Sequence, residues 1–451
     1  MLSILSIKKI HFIGIGGVSL SSFARYFLSK NISVSGSDRV YSSVLDDLRE
    51  HGARIVIGFE PQFIGRPDLV FFSSAIKDND VEYLYCKSLG VPVVERYELL
   101  TALSGVFPST VAVAGTHGKT TVTGMCAEIF IADSVPLFTH IGGFTKNFGN
   151  FFYSGDELFL TEACEYRRSL LHVKPSIGAV LNAEFDHPDT FTSLSEVYDC
   201  FDEFLSSSET KIVNGDCEYY EKRQYLFNPI TFGLNGVRTY GAQNITMRKN
   251  GCMGFTLTHL GFPILDIELN VPGKHNVIDA LAAATICLSY GASVSAVKKG
   301  LLNFYGIKRR FEYVGEYFSR SVYCDYAHHP TEIICAYETA RSMVSGKLTA
   351  VFQPHTYSRT AALEKEFLDA LEKFDEVIIL KEYAARERPC DGIGAKALYD
   401  ALRVTEKSYV TDVMEAAVKL TELKTPGGAV LVLGAGDIVN LCKIISPDFT
   451  F

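Results

Sequence analysis

The sequence predicts an α/β protein made of three segments with largely parallel sheets, and three observations support this. The chain has 451 residues, whereas globular domains usually have about 100–200. Short apolar runs alternate with helix-like stretches, a pattern typical of parallel sheets covered by helices. Glycine-rich loops follow apolar runs at 14–17 and 115–118. We therefore expect three domains, over residues 1–107, 108–308 and 309–451.

The composition indicates a globular protein with a substantial core. Apolar residues make up 47% of the chain and charged residues 21%, which excludes a disordered protein. The net charge of −9 argues against a general binder of nucleic acid, because polyanions require clustered positive charge. The 11 cysteines include no CxxC pair, so zinc ribbons and thioredoxin-like motifs are not expected.

The sequence shows neither a signal-peptide pattern nor an apolar run near the roughly 18 residues that cross a bilayer. We therefore expect a cytoplasmic protein with reduced cysteines and no membrane partner.

The first segment begins with a strand candidate at 9–14, the loop GIGG and an amphipathic stretch at 19–29. Further strand candidates at 33–38 and 68–73 continue the alternation. Asp38 follows the loop at about the distance found in dinucleotide-binding folds, but serine stands where the third glycine is usual. A nicotinamide enzyme is therefore one alternative, although it leaves the motif of the second segment unexplained.

The second segment opens with GTHGKTT, placed between a buried strand candidate and a helix pattern. Glycines let backbone N–H groups turn towards a phosphate, and a helix N-terminus adds positive partial charge. Lys119 is expected to reach the β- and γ-phosphates, and the Thr120 hydroxyl to reach Mg²⁺. Val113 departs from the general motif, which has glycine there. The candidate ATP-binding residues of this loop are Gly115, Thr116, His117, Gly118, Lys119, Thr120 and Thr121.

Acidic residues follow two further strand candidates, at 157–161 and 177–181. Glu162 and Glu165 follow the first, and His187 lies in the NAEFDH stretch after the second. The carboxyl ends of parallel strands meet at one sheet edge, so we expect these residues near the phosphate loop. Either acid is a candidate ligand of a metal or its water; the alternatives are solvated loop charges and a structural histidine.

The remaining patterns complete the prediction. Short alternating pieces from 229 to 272 predict antiparallel structure, and an alanine-rich stretch at 277–290 predicts a helix. Strand candidates of the third segment lie at 321–325, 348–352, 376–380 and 429–437.

Taken in order, these motifs resemble those of the Mur ligases, the ATP-dependent amide-forming enzymes of peptidoglycan precursor synthesis. The further motifs that support the resemblance are GKHN at 273–276, RRFE at 309–312, DYAHHPTEI at 325–333 and FQPHTYSRT at 352–360. The resemblance implies a Rossmann-like N-terminal domain for a UDP-sugar, a central P-loop ATPase-type domain, and a Rossmann-like C-terminal domain for an amino acid. It is strongest for the branch that uses UDP-N-acetylmuramate, L-alanine, ATP and Mg²⁺ and proceeds through an acyl phosphate.

The resemblance also implies residue roles. The implied catalytic residues are Lys119, Glu162 and His187, and the implied metal ligands are Thr120, Glu162 and His187. Further ATP contacts are Asn276, Arg310 and Asp325. The implied contacts to the amino acid and the substrate carboxylates are His328, Tyr357 and Arg359. Those for the UDP-sugar are Gly16, Gly17, Asp38, Ser73 and Ser74.

Purely structural interpretations remain open for three residues. Arg359 could form a surface salt bridge, and His328 and His329 could be packing or N-cap residues.

Two stretches depart from the family pattern. Where the family commonly has EADESD, this chain has EACEYR, so that Cys164 and Arg167 replace acids. Where it has GIGGxGM, Ser19 replaces the last glycine. Because of the altered stretch after Glu162, a non-catalytic nucleotide-binding relative is one alternative. A family member that joins UDP-muramate to an intact tripeptide during recycling is another, because it shares GTHGKTT and a similar HHPT segment. The 13 residues from Glu162 to Pro175 (175 − 162) favour the alanine-using branch over the recycling one.

Overall fold

The apolar runs of the chain form the strands of parallel sheets in the computed structural model. The residues that the structure describes are 6–73, 76–224, 226–385, 387–388, 394–422 and 427–450. They fall into two compact units. The first contains residues up to 183, 198–240 and 282–303, and the second contains 184–197, 241–281 and residues from 304 onward.

The first unit begins with strands and helices in strict alternation. These elements are β1 (Lys9–Ile13), α1 (Val18–Ser29), β2 (Ser33–Asp38), α2 (Ser43–Glu50), β3 (Arg54–Ile57), α3 (Pro61–Ile64), β4 (Leu69–Phe72), α4 (Val81–Ser88), β5 (Val93–Glu95) and α5 (Arg96–Ser104). The five strands are parallel and lie in the order β3-β2-β1-β4-β5. In α1, Leu20, Phe23 and Phe27 recur at helical spacing and are buried, which fixes the face that packs inward.

The first unit continues with the strands that surround the phosphate loop. The strands are β6 (Ser109–Ala114), β7 (Leu137–Thr145), β8 (Gly149–Tyr153), β9 (Leu158–Glu162), β10 (Ile177–Val180), β11 (Thr210–Asn214) and β12 (Ile230–Gly233). The helices are α6 (Lys119–Ala132), α7 (Leu194–Ser207), α8 (Glu218–Arg223), α9 (His275–Tyr290) and α10 (Val294–Asn303). Residues 194–197 of α7 and 275–281 of α9 belong to the second unit. The strands lie in the order β12-β11-β10-β6-β9-β7-β8, and only the β7–β8 pair among them is antiparallel.

Helices α6 and α10 pack closely because of a glycine. A Cβ added at Gly300 would lie 2.4 Å from the Cα of Ile129, so any side chain there would force the two helices apart. This contact supports α6, the helix that begins at Lys119.

The second unit contains an antiparallel group and a larger sheet. The group consists of β13 (Tyr240–Met247), β14 (Cys252–His259) and β15 (Phe262–Pro272). The strands of the larger sheet are β16 (Glu312–Tyr317), β17 (Arg320–Asp325), β18 (Leu348–Phe352), β19 (Glu376–Leu380), β20 (Glu406–Val410) and β21 (Ala429–Leu433). The helices are α11 (Pro330–Met343), α12 (Tyr357–Ala362), α13 (Glu364–Leu371), α14 (Ala395–Ala401), α15 (Val413–Glu422) and α16 (Asn440–Ile445).

The larger sheet has the order β16-β17-β21-β18-β19-β20 and is parallel except for the β16–β17 pair. Both of its faces are covered. Phe352 and Leu431 belong to the core on one face, whereas Val351 and Val432 belong to the core on the other. Continuous apolar strands are the expected consequence of this double burial.

The predicted α/β fold class is confirmed, with two local differences. The predicted strand at 429–437 ends at Leu433, because Gly434 has a φ of 154° and a 3-10 helix follows at Asp437–Val439. The antiparallel prediction for 229–272 is wrong at its start, since Ile230–Gly233 pairs in parallel with β11. None of the helices in the described part of the chain combines the length and the apolar composition needed to cross a bilayer.

Candidate functional site

The GTHGKTT loop of the first unit has the backbone shape that its glycines predict. Buried β6 leads into the loop, and α6 begins at Lys119. Gly115 and Gly118 have φ angles of 141° and 83°, which side chains rarely tolerate. A Cβ at Gly115 would also lie 3.0 Å from the Cβ of Leu181. Both glycines are therefore required by the local geometry.

Asn182 fixes the middle of this loop. Its side-chain oxygen accepts a hydrogen bond from the backbone N–H of His117 at 2.8 Å, and its amide donates to the His117 carbonyl at 3.1 Å. The backbone carbonyl of Asn182 also accepts from the Thr116 N–H at 3.3 Å. Asn182 was not predicted to be a site residue, although it lies in the NAEFDH stretch. Its position two residues after β10, a strand that pairs with β6, is the signal that could have identified this role.

Lys119 is the cation of the loop. Its Nζ donates to the carbonyl oxygens of Gly115 and Thr116 and lies 2.9 Å from Oε2 of Glu165. Burial lowers the pKa of this amine, but the charge of Glu165, its hydrogen bond to the amine and neighbouring groups including Glu162 together outweigh burial, and the pKa lies above its usual value. Lys119 is therefore a charged ammonium group whose present partners are one carboxylate and two carbonyls.

Glu162 lies beside the predicted metal-binding hydroxyl. The Thr120 hydroxyl donates to Oε2 of Glu162 at 3.1 Å, and the Gly142 N–H donates to Oε1 at 2.6 Å. A Cβ at Gly142 would lie 2.9 Å from the same carboxylate, so a side chain there would displace Glu162 from its present position. A hydroxyl and a carboxylate are hard oxygen ligands, and this pair fits Mg²⁺. The two acids thus differ: Glu162 is next to Thr120, and Glu165 is next to Lys119.

The residues that depart from the family pattern add no negative charge here. Burial, followed by the charge of Glu165, raises the pKa of the Cys164 thiol, which therefore stays neutral. Arg167 is exposed and lies over the ring of Tyr166, 5.5 Å from its centroid.

A second predicted site of the first unit lies at the glycine loop after β1. A cavity of about 410 Å³ is bordered there by Gly14, Gly17, Asp38 and Ser73, among others. The backbone N–H of Gly16 donates to Oδ2 of Asp38 at 2.9 Å, so Asp38 shapes the loop itself. The structure therefore brings four of the predicted UDP-sugar residues together, while Ser74 lies outside the described residues.

Three polar residues at or beneath this cavity, His11, Ser37 and Glu82, were not predicted from the sequence. Nε2 of His11 lies 3.0 Å from Oε1 of Glu82, and the hydroxyl of Ser37 donates to Oε2 of the same carboxylate at 2.6 Å. Nδ1 of His11 is 2.9 Å from the Ser35 hydroxyl. Ser37 and Glu82 border the cavity, and His11 is fully buried beneath them. A histidine within an otherwise apolar strand was the available signal.

In the second unit, predicted residues gather around a buried ion pair. Nε of Arg359 donates to Oδ1 of Asp186 at 2.7 Å, and Nη2 to Oδ2 at 3.2 Å. Both side chains are buried, so the interpretation of Arg359 as a surface salt bridge is wrong. Burial acts to raise the pKa of Asp186, but the Arg359 guanidinium offsets this and holds that pKa well below its usual range.

Three histidines surround this pair. Nε2 of His187 is 3.6 Å from Oδ2 of Asp186, and Nδ1 of His355 is 3.2 Å from Nη1 of Arg359. The His328 ring lies 5.8 Å from that of His355, and burial lowers the pKa of His328 to about 3. The structure thus brings together His187, His328 and Arg359. The roles of Asp186 and His355 were not predicted from the sequence.

For His329, the structure supports the interpretation as an N-cap residue. It is the N-cap of α11, and its Nδ1 accepts from the Thr331 N–H at 3.3 Å.

The predicted ATP contacts of the second unit are also held in place. Both oxygens of Asp325 accept backbone N–H groups, from Phe311 and Ala327, each at 2.8 Å. Burial raises the pKa of Asp325 to about 6, although the charge of Arg310 opposes this. Arg310 itself donates to Glu332 at 3.3 Å.

Asn276 and Tyr357 are nearly buried. The amide of Asn276 donates to the Pro272 carbonyl at 2.7 Å near the start of α9. The Tyr357 hydroxyl is hydrogen-bonded to Glu382, which raises its pKa to about 12, and the Tyr357 N–H donates to Glu387 at 2.7 Å.

Three family models match this chain in succession. They are described as Mur ligase family, catalytic domain, over 9–107; Mur ligase middle domain, over 113–287; and Mur ligase, glutamate ligase domain, over 309–436.

Curated relatives match nearly the full length. The UDP-N-acetylmuramate–L-alanine ligase of Clostridium beijerinckii is 38% identical over 440 residues, covering 96% of each chain. That of Acetivibrio thermocellus is 36% identical over 450 residues, covering 98% of this chain and 96% of its own. Among solved structures, the UDP-N-acetylmuramate–alanine ligase of Thermotoga maritima is 26% identical, with a TM-score of 0.81 and coverage of 97% and 98%.

Proposed function

Since the chain belongs to the Mur ligase family, we propose that it joins L-alanine to UDP-N-acetylmuramate at the expense of ATP. The carboxylate of the muramate is phosphorylated first, and the amine of alanine then displaces phosphate from the acyl phosphate. The place of this reaction is peptidoglycan precursor synthesis in the cytoplasm. The three proposed domains are 1–107 for the UDP-sugar, 108–308 for ATP and 309–451 for the amino acid.

The single observation that carries the proposal is the arrangement around the phosphate loop. A charged Lys119 and the Thr120–Glu162 pair lie at adjacent positions at the start of α6. Two anions must meet for phosphoryl transfer, and fixed positive charge is what lowers the barrier. Lys119 would exchange its contact with Glu165 for one with the phosphates, and Thr120 and Glu162 would hold Mg²⁺, which would supply further charge neutralisation.

We assign the second substrate region to the second unit. Arg359 keeps a fixed orientation through Asp186, and the neighbouring His187, His328 and Tyr357 are polar groups on the same unit. A guanidinium carries five N–H donors and Asp186 accepts two of those of Arg359, so donors beyond that pair are available for a substrate carboxylate. We propose that this group receives the carboxylates of the substrates, with His187 as a ligand of a second metal and Asn276, Arg310 and Asp325 contacting ATP.

The test is phosphate release in a coupled assay with ATP, Mg²⁺, UDP-N-acetylmuramate and L-alanine, with mass spectrometry of the product. Release that depends on all three substrates, together with the alanyl product, is the expected result. Lys119→Ala serves as the inactive control.

Two other outcomes would replace the proposal. Preference for an intact tripeptide over L-alanine in competition would indicate a recycling ligase. Nucleotide binding without any substrate-dependent phosphate release would indicate a non-catalytic relative.

A further inference from the structure

A buried histidine of the first unit has no part in the phosphate chemistry described so far. His140 lies on β7, is 1% exposed, and stacks on Phe23 of α1 with ring centroids 4.4 Å apart. Its Nε2 is 2.7 Å from the hydroxyl oxygen of Ser19, and its Nδ1 is 3.0 Å from that of Thr161. It therefore connects the helix after the first glycine loop with the strand that ends at Glu162.

The direction of these hydrogen bonds follows from the available protons. Burial, and then the charge of Arg96, lowers the pKa of His140 to about 3, so its ring is neutral and has one donor and one acceptor nitrogen. The Thr161 hydroxyl donates to the Glu162 backbone carbonyl at 3.1 Å, so its oxygen accepts from Nδ1–H. Nε2 must then accept from the Ser19 hydroxyl.

Arg96 adds one more hydrogen bond to this series. Its Nη1 lies 3.5 Å from the Ser19 hydroxyl oxygen, and a guanidinium nitrogen can only donate. Every hydrogen bond from Arg96 through Ser19 and His140 to Thr161 thus points the same way. His140 and Thr161 are buried and Ser19 is partly buried, so breaking one of these hydrogen bonds leaves a polar group without its partner. The hydrogen bonds therefore hold the segments in one mutual arrangement.

Ser19 and Thr161, the residues that His140 joins, lie at the two proposed ligand sites. Ser19 is the second residue of α1, directly after the loop at 14–17, and it stands where the family pattern has glycine. Thr161 directly precedes Glu162, the proposed metal ligand on β9. The Ser19 hydroxyl, which the usual glycine would lack, therefore has a hydrogen-bond partner in His140 on β7.

We propose that Ser19, His140 and Thr161 are positioning residues that couple binding of the UDP-sugar at the glycine loop to the placement of Glu162. The proposal deepens the function proposed above and rests on it. Its consequence is that UDP-N-acetylmuramate strengthens binding of the Mg²⁺–nucleotide, and that this strengthening depends on the Ser19 hydroxyl.

The experiment measures, by calorimetry on the full chain, the affinity for a non-hydrolysable ATP analogue with Mg²⁺, with and without UDP-N-acetylmuramate. The ratio of the two affinities is the readout. Ser19→Ala should lower the ratio roughly five-fold, the equivalent of one net buried hydrogen bond. Ser19→Gly should do the same, and His140→Gln, which can keep one of the two bonds, should fall between them and the wild type.

Thr139→Val is the matched control. Thr139 is the neighbour of His140 on β7, is equally buried, and its hydroxyl oxygen accepts from the Phe152 N–H at 2.9 Å on β8. Loss of the Thr139 hydroxyl should lower thermal stability as much as Ser19→Ala does, but it should leave the ratio of the two nucleotide affinities unchanged.

Three results would count against the proposal. A wild-type ratio of one, or an unchanged ratio in both Ser19 variants, overturns the coupling. If Thr139→Val lowers the affinity ratio as much as the Ser19 variants do, the effect is general destabilisation, and the specific role of Ser19, His140 and Thr161 is overturned. A wild-type protein that binds neither ligand instead overturns the proposed function itself.

Discussion

Two ion pairs, one in each unit, differ in burial and in geometry: Arg359 and Asp186 are both buried, whereas Lys119 is only partly buried against Glu165. Lys119 and Glu165 are joined at the phosphate loop, where the ammonium group also contacts backbone carbonyls. Arg359 and Asp186 are joined by two parallel hydrogen bonds in the second unit. A lysine is a flexible point charge that can change partners, whereas a forked guanidinium is fixed by its geometry. We expect the first pair to act mainly in turnover and the second mainly in stability and orientation.

The largest expected effect is on turnover at the phosphate loop. Lys119→Ala should lower kcat by about 10²–10³-fold or more, because the transferred phosphoryl group loses its compensating charge. Steady-state phosphate release measures this. Lys222→Ala, which removes an exposed lysine paired with Glu218, is the control and should leave kcat unchanged. Near-normal turnover in Lys119→Ala would contradict the expectation that the Lys119–Glu165 pair acts mainly in turnover.

The next effect concerns stability in the second unit. Arg359→Ala should lower the free energy of unfolding by about 3–5 kcal/mol, because it leaves Asp186 as an uncompensated buried charge. Arg341→Ala breaks a partly exposed pair with Asp375 and should cost at most about 1 kcal/mol. Denaturant titration of both variants gives the comparison. Equal costs would mean that the buried pair is not held as the structure indicates.

A conservative variant sharpens the role of the same arginine. Arg359→Lys keeps the charge but loses the forked geometry, so it should weaken the use of the acceptor and amino-acid substrates while binding an ATP analogue normally. Comparing KM for each substrate with the calorimetric affinity for the analogue tests this. Loss of nucleotide affinity itself would contradict the assigned role.

A smaller effect separates the two acids near the phosphate loop. Glu162→Ala should raise the Mg²⁺ concentration needed for half-maximal turnover about tenfold, the lower range for perturbing a metal site. Glu165→Ala, which removes the partner of Lys119, should raise it less. Mg²⁺ titrations of both variants decide this, and an equal or reversed order would reassign the metal ligand.

The smallest effect is a pH dependence. The folded-state pKa of Asp186 is depressed, so its contribution to stability is present above its ordinary pKa near 4 and is lost as the pH falls towards the folded value. The free energy of unfolding of the wild type should therefore fall between pH 5 and pH 2 by roughly 1–2 kcal/mol more than that of Asp186→Asn. Urea titrations across this range measure the difference, and parallel curves would contradict the depressed pKa.

The two regions also differ in how far the sequence predicts them. The phosphate loop is a contiguous motif between a strand and a helix. Glu162 ends the neighbouring strand β9 and Glu165 follows it, so periodicity and sheet topology place the loop and these acids together. The Asp186–Arg359 pair joins residues 173 positions apart. Nothing in local pattern selects that pairing, and only the resemblance to a family pointed to Arg359.

The same limit applies to the residues that were missed. His11 and Glu82 are 71 positions apart, and Ser19 and His140 are 121 apart. Each partner alone is an ordinary polar residue in an apolar surrounding. The glycine replaced by Ser19 was visible in the sequence, but its compensation by His140 depends on how α1 packs on β7, which local sequence does not specify.

The most direct test of the central claim is to follow oxygen from substrate to product. UDP-N-acetylmuramate labelled with ¹⁸O in its carboxylate is turned over with ATP, Mg²⁺ and L-alanine, and the released phosphate is analysed by mass spectrometry. If the carboxylate is phosphorylated at the phosphate loop, each released phosphate carries one labelled oxygen. Unlabelled phosphate, released together with the alanyl product, would contradict an acyl phosphate.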